Sequence, residues 1–583
     1  MTRILDLEIP RSLDVLIEDL LREKPAHPVE AWLFEDGPAR LAAEQRLAAA
    51  GVSARIRSAY KPLVHFFLEE VDVATIRRIE IGYPVQEGAV EARFLIEAYP
   101  LAALVGDAQI SFHPNALELV YDVKLTDRAG RTTTHHVFAP NVVEEDHVGN
   151  DVLRCCGWLR TGGADDAGER IRTDFEQLFL AAVDTVKTHP WQRREPYFDR
   201  LRVRVELAAN DRDLGFCSES ISLREAMHED LFFSLRECLD ATTGAMSGLG
   251  GARPGQVVPD VVPARSNPRI VMTIEDFGNG DETGGEDIPI ATADRPLKME
   301  QIRRELGKIP GEEIRAVSRE GREVLGRYRK GPGPAVLISS GQHANETSGP
   351  VGALRAAQAL ADRPDAHFAI IPVENVDGYE LHQRLIVDNP FHMHHAARYT
   401  AMGDDLSFTV PDPESTYERA ARNRALDLCS ARLHLNLHGY PSHEWTRPMS
   451  GYLPRGFEMW TIPKGFFLII CAYPGWEALG DAILDDVARG LSENRDLVAF
   501  NARQLECVRV HMPDAPFEVR YGIPCIRQTN SYYQTPLTLI TEATDETVYG
   551  EDFRLSQDAQ TQTVLYAIEA YERLASDLPA ETV

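Results

Sequence analysis

The chain has 583 residues, 44% of them hydrophobic and 26% charged, with a formal net charge of −29. The length exceeds one ordinary core and predicts at least two domains. The acidic balance excludes nucleic acid or an anionic membrane as partner, since both need a basic surface, while saying little about a small substrate held in a local pocket.

The first residues, Met1 to Asp14, carry charges throughout and lack a signal peptide's apolar core. No run approaches the ~20 apolar residues of a membrane span. The 8 cysteines are scattered without a CxxC pair, and the adjacent Cys155 and Cys156 are badly placed for a disulfide. Together these features predict reduced thiols in a cytoplasmic protein.

Taken in chain order, Val29–Phe34 reads as a strand, Ala39–Ala50 as a helix ended by Gly51, and Val52–Arg57 as a strand. From about residue 80 to 145 the texture turns to β, with apolar runs at 92–99 and 117–125. Asp127-Arg128-Ala129-Gly130 supplies turn chemistry before a partner strand at Thr132–Phe138. Helical spacing follows at Ala167–Lys187 and Leu223–Leu239. His135 and His136 are neighbours, so on a strand they point to opposite faces and read as surface or packing residues. Residues 1–265 are therefore expected to form an α+β domain, shaping access to a site elsewhere or making a homo-oligomer interface.

An acidic, glycine-rich stretch within 266–295 reads as a linker, without the ligand spacing of a calcium loop. One apolar segment, Arg269–Ile274, could return as a strand to the first domain. Residues 296–583 then alternate strands and helices, predicting a mainly parallel or mixed sheet covered on both faces.

The chemistry sits in that second part. Ala335–Ile338 is a buried strand and Gly352–Leu360 a helix, so His343 and Glu346 of Gly341-Gln342-His343-Ala344-Asn345-Glu346 lie on the turn leaving a strand. Ligands meet open α/β sheets at such turns. An imidazole and a carboxylate three residues apart suit one zinc ion, which in a catalytic site takes a third protein ligand and keeps an open position. His438, ending Leu433–His438 just before Gly439-Tyr440-Pro441, is the third ligand in preference to His434. Glu542 closes the strand Leu537–Glu542 and is the candidate base for activated water.

Four ordered blocks now stand together: Gly341–Glu346, Pro372-Val373-Glu374-Asn375-Val376-Asp377-Gly378-Tyr379, Asn436–Tyr440 and Thr541-Glu542. Over about 296–575 they resemble the M14 zinc metallocarboxypeptidases. The resemblance implies an eight-stranded mixed sheet with helices on both faces. It implies Zn2+ held by His343, Glu346 and His438, with Glu542 as general base and then general acid. It implies hydrolysis of an amide next to a free carboxylate in a peptide or N-acyl amino acid substrate.

The family's arginines and tyrosine transfer less directly. Arg398 is preferred for the substrate carboxylate or oxyanion, because a guanidinium forks onto a carboxylate. Arg384 is a rival, and Arg422-Asn423-Arg424 reads as a solvated helix face. His392, His394 and His395 around Arg398 read as loop histidines lining the pocket. By spacing from Glu542, Tyr521 fits the mobile tyrosine, with Tyr532 and Tyr533 as rivals, and Arg527 fits the position that selects the leaving residue. An arginine there would favour Asp or Glu. Two other readings stay open: an N-acyl amino acid amidohydrolase resembling aspartoacylase and succinylglutamate desuccinylase, and a zinc-binding protein without turnover.

Overall fold

The computed structural model describes all residues except 88, 163–165, 193, 244–251, 279–285, 408–415 and 576–583. Most of the glycine-rich stretch at 244–255 and of the acidic stretch at 276–287 therefore lies outside the described residues. No described helix is long and apolar enough to cross a membrane, and all eight cysteines are free thiols.

The second part of the chain is built on a nine-stranded sheet. Its order is Glu312–Val317, Glu323–Arg329, Phe368–Ile371, Val336–Ser340, Leu433–Tyr440, Leu537–Thr544, Phe467–Ala472, Ile523–Thr529 and Glu518–Arg520. The ninth strand, beyond the eight expected, is the three-residue edge Glu518–Arg520. The four central strands run parallel. The five outer pairings are a mix in which only Phe467–Ala472 with Ile523–Thr529 is parallel. The sheet is thus evenly mixed rather than mainly parallel: an apolar run signals a buried strand but not its direction.

Central strands such as Val336–Ser340 and Leu433–Tyr440 are buried at every position, as expected when helices cover both faces. Helix Ser348–Ala361 packs closely on the last helix, Glu551–Ala575. A Cβ on Gly352 would lie 2.4 Å from the Cβ of Gln560, so only glycine allows this approach. Gln560 in turn donates to the carbonyl of His438 at 2.8 Å and accepts from the Thr541 hydroxyl at 2.5 Å. The last helix thereby fixes the two strand ends that carry His438 and Glu542.

The first part contains three four-stranded sheets. Arg269–Glu275, inside the expected linker at 266–295, is a strand paired on both sides, with Thr2–Glu8 and with Arg200–Leu207. The expected boundary at 265 therefore cuts through a sheet. The apolar run at 92–99 is not a strand: Arg93–Glu97 is a helix, closed by a buried ion pair between Arg93 and Glu97 one turn apart. The hairpin of Val120–Asp127 with Thr132–Phe138 forms as expected.

The two parts are not separate bodies. One apolar core joins Phe175, Val203, Met227 and Phe232 of the first to Met393, Trp445, Met449 and Ile462 of the second. Helix Leu223–Thr243 forms the seam. It presents Glu225 to His443 at 2.7 Å, Asp230 to the backbone N–H of Met449 at 2.7 Å, and Glu237 to Arg447 at 2.9 Å.

Candidate metal centre and active-site cavity

The turn after Val336–Ser340 needs Gly341, whose φ is +59° and whose side is pressed against Val373. That turn brings His343 and Glu346 under the end of strand Leu433–Tyr440. His343 Nδ1 lies 2.7 Å from Glu346 Oε1, His438 Nδ1 lies 2.9 Å from Glu346 Oε2, and the two Nδ1 atoms are 3.0 Å apart. All three residues are buried. They form the one cluster of three metal-binding side chains among the described residues.

Two imidazole nitrogens at that separation cannot both carry a proton, whereas lone pairs converging with a carboxylate suit a cation. The ring protons have another place to be. His343 Nε2 lies 3.1 Å from Asp405 Oδ1 and 2.6 Å from Ser407 Oγ, which fixes the tautomer that leaves Nδ1 as a lone pair. A His2Glu set is a known catalytic zinc arrangement, so the donors fit that ion. His434, on the same strand face, lies instead 2.8 Å from the Ser339 hydroxyl and takes no part in the cluster.

Asp405 was not visible in the sequence, because an acidic residue in a loop carries no spacing signal. Burial would raise its carboxyl, but His343 and Arg398 hold it well below the usual range. Replacing Asp405 with Asn should weaken metal affinity by about 10- to 100-fold, as for other outer partners of ligand histidines. Competition against a chromogenic chelator measures this, and unchanged affinity would remove Asp405 from the metal centre.

Glu542 is the Cα partner of His438 across the parallel pair. Burial, then the charge of Glu346, push its carboxyl well up, with Arg398 opposing. Nearby, Lys464 is fully buried among the rings of Tyr440, Trp460 and Phe467, and donates to the Ile462 carbonyl at 2.9 Å. Burial brings its amine down to about 7, with Glu542 opposing.

These groups open into a cavity of about 1060 Å³. His343, Glu346, His438, Arg398 and Glu542 all line it. Arg398 reaches Glu346 and Asp405, each at 3.4 Å. The first part of the chain supplies one wall through Phe233, Arg236, Glu237 and Asp240 of the seam helix, at the i, i+3, i+4 and i+7 spacings of one helix face, with Phe232 beside them.

Several sequence-predicted residues fall elsewhere. Tyr521 is exposed, with its hydroxyl 3.2 Å from Asp485. Arg527 points to the opposite side of its strand, towards Asp481 at 3.4 Å and Glu518 at 3.3 Å. Its neighbour Gln528 lines the cavity, because adjacent strand residues face opposite ways. Tyr532 is exposed, while Tyr533 lines the cavity. Arg422 is not on a solvated face: it forks onto Glu374 at 3.1 Å and also reaches Gln342, tying two motif turns together. Of the three loop histidines only His395 lines the cavity. His392 is 2.7 Å from Asp211, and His394 is 3.0 Å from the Asn389 carbonyl.

Residues 291–408 match the family model described as zinc carboxypeptidase, a span holding His343, Glu346 and Arg398 but ending before His438 and Glu542. Among curated proteins none matches the chain. Similar solved structures include a metallo-carboxypeptidase from Burkholderia cenocepacia, at 14% identity over 54% of this chain and 77% of that one, with a TM-score of 0.29. Bovine thrombin-activatable fibrinolysis inhibitor is similar at 13% identity over 47% and 95%, with a TM-score of 0.30. A succinylglutamate desuccinylase/aspartoacylase from Rhodobacter sphaeroides is similar at 15% identity over 44% and 64%, with a TM-score of 0.26.

Proposed function

We propose that this protein is a zinc-dependent hydrolase that cleaves the amide next to a free carboxylate and releases the terminal residue of a small substrate. The observation that carries the reading is Glu542 on the strand beside His438, opening with His343 and Glu346 into one cavity. When bound, zinc lowers the pKa of water and polarises a carbonyl. His343, Glu346 and His438 would hold it. Glu542 takes a proton from the attacking water and hands it to the leaving nitrogen. Arg398, the guanidinium that reaches Glu346, faces the negative charge developing on the substrate's oxygen. Asp405 keeps His343 in the ligating tautomer.

The leaving side is apolar. Tyr440, Trp460, Ile469, Tyr533 and Ile540 line it, with the neutral amide of Gln528 among them. This favours a neutral, apolar or aromatic leaving residue over Asp or Glu. Arg527→Ala should leave the selectivity profile unchanged, whereas Gln528→Arg should shift it towards acidic leaving residues by about tenfold or more, the worth of one charge-assisted pair. A loss of selectivity in Arg527→Ala would restore the opposite face of the strand as the selecting one.

An N-acyl amino acid amidohydrolase is the second reading. It is favoured by the seam helix, which walls the cavity and suits small substrates over bulk protein. Zinc content of the purified protein, read with amino acid release from dipeptides and N-acyl amino acids, tests both. About one zinc per chain with release supports hydrolysis. Zinc-loaded protein inactive on the whole panel would point to a binding protein, and absence of zinc without rescue on its addition would overturn the metal centre.

A further inference from the structure

Among the groups that line the cavity and that the proposed mechanism leaves unused are His395 and Glu546. His395 packs against the ring of Phe233, with centroids 4.8 Å apart, and that of Trp445, at 4.5 Å, two rings that also stack on each other at 5.6 Å. Its Nδ1 is in close contact with Glu229 Oε2 on the seam helix, and the same carboxyl accepts the backbone N–H of His395. Although burial pushes it well up, the Glu229 carboxyl accepts that backbone N–H, and in the Nδ1–H tautomer of His395 it accepts from the ring as well. His395 Nε2, which has no partner among the described hydrogen bonds, is then a lone-pair acceptor on a ring that lines the cavity. Glu546 follows the Glu542 strand, is only 5% exposed, and its Oε2 makes no hydrogen bond of normal geometry among the described residues, with the Asn345 side chain as its polar neighbour. It lines the same cavity. A buried carboxyl oxygen without a donor costs free energy unless something else supplies one.

We propose that His395 and Glu546 form the acyl-side subsite of the cavity and bind the free ammonium group of a small substrate, making a dipeptide with an unblocked amino terminus the preferred ligand. An ammonium carries three donors and a positive charge, which suit one carboxylate and one neutral imidazole acceptor. An acylated nitrogen offers a single N–H, and its acyl group would have to enter beside the stacked Phe233 and Trp445 rings. This inference rests on the hydrolase reading above and narrows it to a substrate class. It also gives the first part of the chain a role in recognition, because Glu229 orients His395.

The test uses full-length, zinc-loaded protein carrying Glu542→Gln, so that ligands bind without turnover. Calorimetric titration compares alanyl-phenylalanine with N-acetyl-alanyl-phenylalanine, and the same ratio is read as kcat/KM with wild-type enzyme. The free dipeptide is expected to bind about tenfold or more tighter, the worth of one charge-assisted hydrogen bond. Adding Glu546→Gln or His395→Ala should erase most of that preference while affinity for the acetylated ligand stays within about twofold, which also reports an intact fold. Equal or tighter binding of the acetylated ligand would overturn the subsite, as would variants that keep the preference or lose both ligands alike. If neither ligand binds and wild-type enzyme releases no amino acid from either, the hydrolase reading falls, and the subsite with it.

Discussion

Glu542→Gln is expected to retain zinc at about the wild-type level while losing turnover by a factor of about 10² to 10⁴, the usual contribution of a positioned acid–base group. The amide is nearly the shape of the carboxyl, so the strand Leu537–Thr544 and its pairing with the His438 strand should persist. What disappears is the ability to accept a proton from water and return it to the leaving nitrogen. The loss should appear in kcat with little change in KM, since Glu542 acts on the reacting atoms rather than on the distal parts of the substrate. Zinc content by atomic emission and single-turnover kinetics give the two readouts. Near-wild-type kcat with zinc bound would remove Glu542 from the chemistry. Loss of zinc would instead assign it to the metal's surroundings.

The second large effect separates two histidines on one strand face. His438→Ala is expected to reduce zinc content to a small fraction of one per chain and to abolish activity. It removes one of three converging donors and leaves Glu346 Oε2 with only the Gly439 N–H, at 3.0 Å. His434→Ala is expected to keep zinc. Its cost falls on stability, through the lost contact with Ser339 and the space left in a buried strand, at about 1 to 3 kcal/mol. Metal content and thermal unfolding of both variants decide the matter. Zinc lost from His434→Ala and kept by His438→Ala would exchange their roles.

The legible parts of this chain were those in which chemistry and spacing coincide. His343 and Glu346 share one turn, and His438 and Glu542 each sit near a strand's carboxyl end, so sequence alone could place them near one another. The position proposed to select the leaving residue was not legible at the same precision. Counting back from Glu542 gives Arg527, but strand faces alternate, and a shift of one residue to Gln528 exchanges the outside for the cavity. Tyr521 failed for a related reason: a count along the chain does not say which way a turn points, and its φ of +52° marks a tight local bend. The wall made by Phe233, Arg236 and Asp240 left no signal, because their spacing is that of any helix face. Asp405 owes its position to its partner His343, 62 residues away along the chain.

The seam between the two parts also limits how this protein can vary. The stretch from Pro441 to Ile462 has little regular structure and takes its shape from outside itself. Glu444 is held by Lys61, Thr446 by the Tyr60 hydroxyl at 2.7 Å, Arg447 by Ser234 at 3.0 Å and Ser450 by Asp230 at 2.7 Å. Trp445 and Phe457, which help to line the cavity, ride on that stretch. Without the first part, the stretch would regain its conformational entropy and carry those rings out of place. The amino-terminal half is therefore part of the cavity's construction rather than a detachable module, and a change at Lys61 or Asp230 is expected to be felt as altered substrate preference.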